Sequence, residues 1–94
     1  MFTVAAQLKL FMDRCYACKS SLVGMKIGIL LTYGDPDENT SGVMNAVNTL
    51  CDEYNYSQSK IVGILHGSAD EKGAIASNKQ LMGQAFELGK MLVE

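Results

Sequence analysis

The sequence lacks the features that mark nucleic-acid-binding and membrane proteins. Its formal net charge at pH 7 is −2, so it has no basic field with which to displace counterions from a nucleic-acid backbone. No apolar run approaches the roughly 20 residues that span a bilayer. Lys9 and Asp13 also interrupt the amino terminus where a signal peptide would have its apolar core. We therefore expect a cytoplasmic protein that binds neither nucleic acid nor membrane.

Cysteine is too sparse for a disulfide-stabilised secreted fold. The three cysteines, Cys15, Cys18 and Cys51, are odd in number and widely spaced, which suits a reducing compartment. Cys15 and Cys18 form a C-x-x-C motif within an apparent amphipathic helix. That spacing predicts that both thiols face the protein interior and serve packing, with metal or redox chemistry as the alternative.

Length limits the fold to part of a larger α/β architecture. With 48% hydrophobic and 19% charged residues, the chain has a globular composition. Five strand-helix units of roughly 30 residues would need about 150 residues, whereas the chain has 94. We expect an α/β fold of order α-β-α-β-α, with two parallel strands taken from a doubly wound sheet.

Apolar periodicity predicts where these elements lie. Two nearly continuous apolar runs indicate parallel strands that helices cover on both faces and that a right-handed crossover joins. Thr3 is the predicted N-cap of the first helix, Thr40 or Ser41 that of the second, and Ser77 forms a capping box with Gln80 before the third. The predicted segments are a helix over Ala5–Ser21, a strand over Met25–Tyr33, a loop over Gly34–Gly42, a strand over Lys60–His66 and a loop over Gly67–Gly73.

Three apolar stripes are the predicted core positions of the helices. The first helix has Leu8, Phe11, Met12, Cys15 and Cys18, the second has Val43, Val47, Leu50, Cys51 and Tyr54, and the third has Leu81, Ala85, Leu88 and Leu92 with Met82 and Phe86 beside them. Asn45, Asn48 and Asp52 are predicted to face water.

Three segments resemble the NAD(P)H-dependent FMN reductases and iron-sulfur flavoproteins of the flavodoxin-like superfamily. They are FTVAAQLKLFMDRCYA at 2–17, ILLTYGDPDENTSG at 29–42 and NKQLMGQAFELGKML at 78–92. The resemblance implies that residues 1–94 are a single partial flavodoxin-like domain, with the last three helices and last two strands of the family fold. In that fold, FMN lies at the carboxyl ends of a five-stranded parallel sheet.

The resemblance also implies which residues border the isoalloxazine ring of FMN. They are Phe2 and Thr3 after the family's third strand, and Thr32, Tyr33, Gly34 and Asp35 after its fourth. Tyr33 would stack on the ring and Gly34 would let the backbone approach it. Alternatively, Tyr33 only ends a strand and Gly34 only makes a turn. No residue is assigned a catalytic or metal-binding role.

The glycine-rich loop that would hold the FMN phosphate has no counterpart in the sequence. Its one candidate, the loop over Gly34–Gly42, is acidic where a phosphate needs donors. We therefore expect weak or absent FMN binding by this chain alone. The sequence favours a fragment resembling an FMN-dependent NAD(P)H oxidoreductase that transfers electrons through the flavin. The alternative is a non-enzymatic self-associating module or a truncated gene product without cofactor.

Two further polar patterns do not form known sites. Asp35, Asp37 and Asn39 match the first three ligands of a calcium loop, but Thr40 and Ala46 stand where that loop needs Gly and Glu. His66 ends the second strand, a favourable place for a site residue, yet the sequence names no acid to orient it.

A two-stranded sheet leaves the edge of Met25–Tyr33 without a partner. Such an edge exposes unpaired amide and carbonyl groups beside apolar surface. We expect a homodimer, or association with a missing amino-terminal half. In the homodimer, either two copies of this strand pair antiparallel across a two-fold axis or the helix faces of two copies stack on each other.

Overall fold

The computed structural model describes residues 2–94, which form an α/β fold with four α-helices and one parallel two-stranded sheet. Within this range, no helix is both long enough and apolar enough to cross a membrane. Two short 3₁₀ segments follow α1 and precede α4. The α-helices are α1 (Ala6–Cys15), α2 (Glu38–Ser41), α3 (Val43–Tyr56) and α4 (Lys79–Val93), the strands are β1 (Lys26–Tyr33) and β2 (Lys60–Ser68), and the 3₁₀ segments are Tyr16–Leu22 and Ala74–Ser77.

The two strands pair in parallel along their whole length, as predicted. Lys26 lies opposite Lys60 at one end, and Tyr33 lies opposite Ser68 at the other. The register shifts once, because Ile27 pairs with Ile61 whereas Gly28 pairs with Gly63. The extra residue, Val62, forms a β-bulge that brings two glycines side by side on one face of the sheet.

The main core lies between the sheet and the helices α1 and α3. Met12, Ile29, Leu50 and Tyr54 form its buried centre, and Met12 is only 1% exposed. The predicted stripe of α3 is confirmed, since four of its five residues are buried and the fifth, Cys51, is half-buried. This side of the sheet therefore follows the periodicity of the sequence closely.

Helix α4 covers the opposite face only in part. Leu88 is its one buried residue, and it packs on Gly28 and Gly63 of the two strands. Met82 and Phe86, predicted to lie beside the apolar face, are 46% and 67% exposed. These residues are exposed because a two-stranded sheet is too narrow to cover all the apolar positions of α4. Leu30 of β1 is also 62% exposed on this side, so the expectation that helices cover both faces of β1 is wrong there.

The first helix is shorter than predicted. It ends at Cys15, and the chain continues as a 3₁₀ segment in which Cys18 leaves helical geometry at φ −122° and ψ 28°. Phe11 remains 59% exposed, so its assignment to the core is wrong. The change of helical period after Cys15 removes the later residues from the stripe that a continuous helix would give.

The predicted caps and boundaries differ by a few residues. The N-cap of α1 is Ala5, without a side-chain bond, rather than Thr3. The N-cap of α4 is Asn78, whose Oδ1 accepts the Leu81 amide at 3.0 Å, rather than Ser77. The N-cap of α3 is Gly42 rather than Thr40 or Ser41, although the Ser41 hydroxyl accepts the Val43 amide at 3.1 Å. Strand β2 extends to Ser68, two residues further than predicted.

Candidate functional site

The carboxyl ends of β1 and β2 meet at one edge of the sheet. The Ala69 amide donates to the Tyr33 carbonyl at 2.7 Å, and the Ser68 hydroxyl donates to the Asp35 carbonyl at 2.9 Å. These two bonds tie the loop after β1 to the end of β2. The edge is therefore a connected surface built from both strands.

A cavity of about 220 Å³ opens at this edge, beside the end of β1. Four of the six predicted ring-bordering residues lie together in its wall: Phe2, Thr3, Thr32 and Tyr33. Gly34 and Asp35 are not in the wall, and an Asp35 carboxylate oxygen instead accepts the Asp37 amide at 2.8 Å within its own loop. The remaining wall residues are Leu31, Ser41, Gly42, Val43 and Ala46.

Gly42 and Asn45 hold Phe2 at the cavity. Gly42 has φ +79°, and a Cβ placed there would lie 2.8 Å from the Cβ and 2.9 Å from the Cα of Phe2. The Asn45 amide donates to the Phe2 carbonyl at 3.1 Å. Asn45 is exposed as predicted, but the sequence gave no sign of this bond, because its partner lies 43 residues away. The Phe2 side chain stays 58% exposed, so its ring is available at the cavity.

The electrostatics beside the cavity are acidic. Asp37 accepts the Thr40 hydroxyl at 2.7 Å and the Asn39 amide at 3.0 Å. These bonds stabilise its charged form, so the pKa of Asp37 lies below its ordinary value, chiefly through the Thr40 bond. Neither Lys nor Arg lies in the cavity wall. The wall thus offers aromatic and hydroxyl groups but no cation for a phosphate.

His66 contacts two residues at this edge that are far from it in sequence. Its Nδ1 lies 3.4 Å from the Tyr33 hydroxyl, and the two rings are tilted by 44° with centroids 5.8 Å apart. Its Nε2 lies 3.7 Å from Oε2 of Glu38. Sequence reasoning found no acid for His66, because Glu38 lies on α2 and reaches it only through the parallel pairing of β1 with β2.

The C-x-x-C cysteines have different environments. Cys15 is buried, and burial, with a smaller contribution from Cys18, raises the pKa of its thiol. Cys18 is exposed, with its sulfur 3.5 Å from the Cys15 carbonyl. The packing interpretation holds for Cys15, but the prediction that both thiols are interior is wrong for Cys18. Across 2–94, no cluster of three or more His, Cys, Asp or Glu side chains is arranged to hold a metal ion.

Comparison of the chain with family models, with curated proteins and with solved structures gave no match.

Proposed function

We propose that this chain forms the ring-facing side of an FMN site in a flavodoxin-like NAD(P)H oxidoreductase. The observation that supports the proposal is the meeting of Phe2, Thr3, Thr32 and Tyr33 in one cavity at the carboxyl end of a parallel strand. In open parallel sheets this end is where ligands bind. The phosphate of FMN would then be bound by a polypeptide segment outside this sequence that pairs with the free edge of β1.

The cavity suits a planar aromatic ring better than a phosphate ester. Phe2 and Tyr33 provide aromatic groups for stacking, and Thr3 provides a hydroxyl for a polar ring atom. The Thr32 side chain alternates with that of Tyr33 to the other face of β1, beside Leu30. The carboxylates of the neighbouring loop and the absence of a cation from the wall oppose a phosphate. A bound flavin supplies the redox chemistry itself. The role of this chain is to orient the ring and exclude water from one of its faces.

Riboflavin and FMN separate the two parts of this proposal, because riboflavin carries the same ring without the phosphate. We expect the flavin fluorescence of both ligands to be quenched when the protein is added. The two dissociation constants should be similar and weak, on the order of 10 µM or above. Such a value corresponds to at most about −7 kcal/mol of binding free energy. An FMN affinity more than tenfold above that of riboflavin would show that the chain binds the phosphate.

A glycine pair tests whether this cavity binds the ring. Gly42→Ala introduces a Cβ into the Phe2 backbone, whereas Gly73, with the same φ of +79°, has no neighbouring atom within 4 Å. Both variants carry the same left-handed strain, so their difference isolates the displacement of Phe2. Riboflavin binding should weaken in Gly42→Ala and not in Gly73→Ala. Equal riboflavin affinities in the two variants would contradict the cavity assignment.

A self-associating module is the second candidate, supported by the free edge of β1. Strand β1 pairs only with β2 among the described residues, and Leu30 beside the free edge is 62% exposed. Leu30 and the exposed Met82 line an apolar groove of about 200 Å³ between β1 and α4. Free backbone groups and apolar surface therefore lie along the same side of the molecule, an arrangement that strand pairing buries.

Symmetry restricts how two copies could pair along this edge. A two-fold axis normal to the sheet keeps each side chain on its own face of the sheet. Directly opposite residues share a face, so their residue numbers must differ by an even number. Placing Leu30 opposite its own copy satisfies this condition and covers its exposed side chain. Lys26 then lies opposite Gly34 of the second copy at both ends of the pairing.

Sedimentation of Leu30→Lys measures this candidate against a matched surface change. Met44, on the exposed side of α3, is 41% exposed, and Met44→Lys therefore controls for an added surface charge. We expect a dimer at micromolar concentration for the natural chain and Met44→Lys, and a monomer for Leu30→Lys. A natural chain that sediments as a monomer and unfolds cooperatively would exclude self-association as its function.

A further inference from the structure

Tyr33 stands between the cavity and a pair of polar side chains behind it. Its ring lies in the cavity wall, while its hydroxyl reaches Nδ1 of His66 at 3.4 Å. Neither His66 nor Glu38 is in the wall. We propose that His66 is a positioning residue that fixes the orientation of Tyr33 at the cavity and is itself anchored by Glu38. The functional part of this inference rests on the proposed ring site, whereas the contact itself can be tested without a ligand.

One protonation pattern satisfies both contacts of the neutral imidazole. If the Tyr33 hydroxyl donates to Nδ1, the ring hydrogen must be on Nε2, which is the nitrogen that faces Glu38 at 3.7 Å. The Glu38 carboxylate lies beyond hydrogen-bond length of Nε2, but its negative charge favours the tautomer that has the hydrogen on Nε2 and receives the tyrosine hydroxyl. The three side chains come from β1, β2 and α2, so the contact chain links all three elements at the cavity.

The burial of the chain members agrees with a positioning role. Tyr33 is half-buried, the His66 side chain is 26% exposed and the Glu38 side chain is 50% exposed. Within residues 2–94, Tyr33 and Glu38 are the titratable side chains within hydrogen-bond or ion-pair distance of His66. The anchor is thus the exposed member of the three, and both Tyr33 and His66 are half-buried.

Asparagine and glutamine at position 66 separate the two contacts of the imidazole. The amide oxygen of Asn reaches about as far as Nδ1, so His66→Asn can still accept the Tyr33 hydroxyl but cannot reach Glu38. The amide of Gln reaches about as far as Nε2, so His66→Gln keeps a group facing Glu38 but leaves the Tyr33 hydroxyl without its acceptor. Tyr33→Phe removes the hydroxyl, and Tyr56→Phe is its control because Tyr56 is an exposed tyrosine that contacts Lys19.

The structural test uses the ligand-free protein and the ¹⁵N NMR signals of His66. The spectra are compared in a pH range where these signals do not change with pH. Tyr33→Phe should then shift the Nδ1 signal, and Glu38→Gln should mainly shift the Nε2 signal. Tyr56→Phe should shift neither. A His66 Nδ1 signal that Tyr33→Phe leaves unmoved would overturn the inference, whatever flavin binding shows. Circular dichroism of each variant verifies that it is folded. If Tyr33→Phe does not fold, Glu38→Gln decides the structural test, and a His66 Nε2 signal that it leaves unmoved would overturn the inference.

The functional test is riboflavin affinity across the same variants. Loss of one neutral hydrogen bond should weaken binding about 2- to 10-fold in both Tyr33→Phe and His66→Gln, and the double variant should be no weaker than either alone. His66→Asn should bind within about twofold of the natural chain, a rescue that a purely space-filling histidine would not give. Additive losses would contradict positioning through Tyr33. If riboflavin does not bind even the natural chain while the NMR contacts are present, the proposed function fails and the positioning contact stands.

Discussion

The two faces of the sheet show how differently one hydrophobic pattern can be used. On the α3 side, five residues of a single helix are buried, and two of them, Leu50 and Tyr54, form one core with Met12 of α1 and Ile29 of β1. On the α4 side, a helix of similar length and periodicity buries only Leu88. Both helices contact both strands. The difference arises because α1 adds a further wall to the α3 side, whereas nothing among the described residues covers the outer part of α4.

This comparison indicates that burial in this protein is set by the number of neighbouring elements rather than by helix amphipathicity. A two-stranded sheet is about 5 Å wide between strand axes, about half the diameter of a helix with its side chains. A helix that lies on such a sheet without lateral neighbours leaves apolar residues exposed at both flanks. The exposed Met82 and Phe86 follow from this geometry.

Truncating one methionine on each face should give the largest difference. Met12 is 1% exposed in the α3-side core, and Met82 is 46% exposed on α4. We expect Met12→Ala to lower the free energy of unfolding by about 2–5 kcal/mol and Met82→Ala to change it by less than about 0.5 kcal/mol. Urea unfolding followed by circular dichroism measures both. Similar losses for the two variants would mean that the α4 side is covered in solution, as in a dimer.

Glycine substitutions sharpen the comparison within the α4 side. A Cβ at Gly63 would lie 2.6 Å from Cδ1 of Leu88, whereas Gly83 on the helix itself has no neighbour within 4 Å. Gly63→Ala should destabilise by about 1–3 kcal/mol through overpacking, and Gly83→Ala should stabilise by about 0.5–1 kcal/mol through helix propensity. Thermal unfolding of the pair measures both signs. A neutral Gly63→Ala would show that the Leu88 side chain, or α4 with it, can move aside at little cost.

Thiol labelling extends the comparison to the end of α1. Burial raises the pKa of the Cys15 thiol, which leaves less reactive thiolate at any given pH, while Cys18 is exposed. In native buffer Cys18 should react at least about tenfold faster, which corresponds to a local opening free energy of about 1.4 kcal/mol at Cys15. Mass spectrometry of partly labelled protein, digested at successive times, gives both rates. If Cys15 and Cys18 were labelled at equal rates in native buffer, the core around Met12 would have to open readily.

The smallest expected effect lies at the exposed loop beside the cavity. Hydrogen bonds from Thr40 and Asn39 lower the pKa of Asp37 below its ordinary value of 3.8. Because the folded-state pKa is the lower one, this carboxylate stabilises the fold fully above about pH 3.8, and the contribution is lost as pH falls through the folded-state pKa. The stability difference between the natural chain and Asp37→Asn should therefore be constant near neutral pH and shrink below pH 4. Urea unfolding at several pH values measures it, and a difference that grows on acidification would contradict the assignment.

Hydrophobic periodicity correctly predicted the elements whose apolar residues pack against neighbouring elements. The two parallel strands and the buried stripe of α3 follow the sequence because a continuous apolar run and a 3.6-residue spacing each leave one packing solution. The meeting of Phe2 and Thr3 with Thr32 and Tyr33 was expected from the family resemblance, and the structure brings these four together. Their contact with a flavin stays a prediction.

The remaining features depend on contacts between residues far apart in the chain. Cys18 lies outside the interior because the helix changes period after Cys15, a switch that the i, i+3 pattern cannot record. The Glu38 contact with His66 depends on strand pairing, and the Asn78 cap differs from the predicted Ser77 by one position among several good capping residues. Local propensity alone does not decide between such neighbours.

The bulge at Val62 implies that β2 can lose this residue without changing its pairing register with β1 or the face on which each later side chain lies. Gly63 onward already pairs with β1 as though Val62 were skipped, since Ile61 faces Ile27 and Gly63 faces Gly28. Deleting Val62 would therefore turn the bulge into a regular ladder and leave His66 opposite Leu31, on the same face as Tyr33. A deletion after Gly63 would instead transfer every following side chain to the other face. Length variation at the bulge is thus neutral to the geometry of the cavity edge, and natural or engineered length variants that keep the site should differ there.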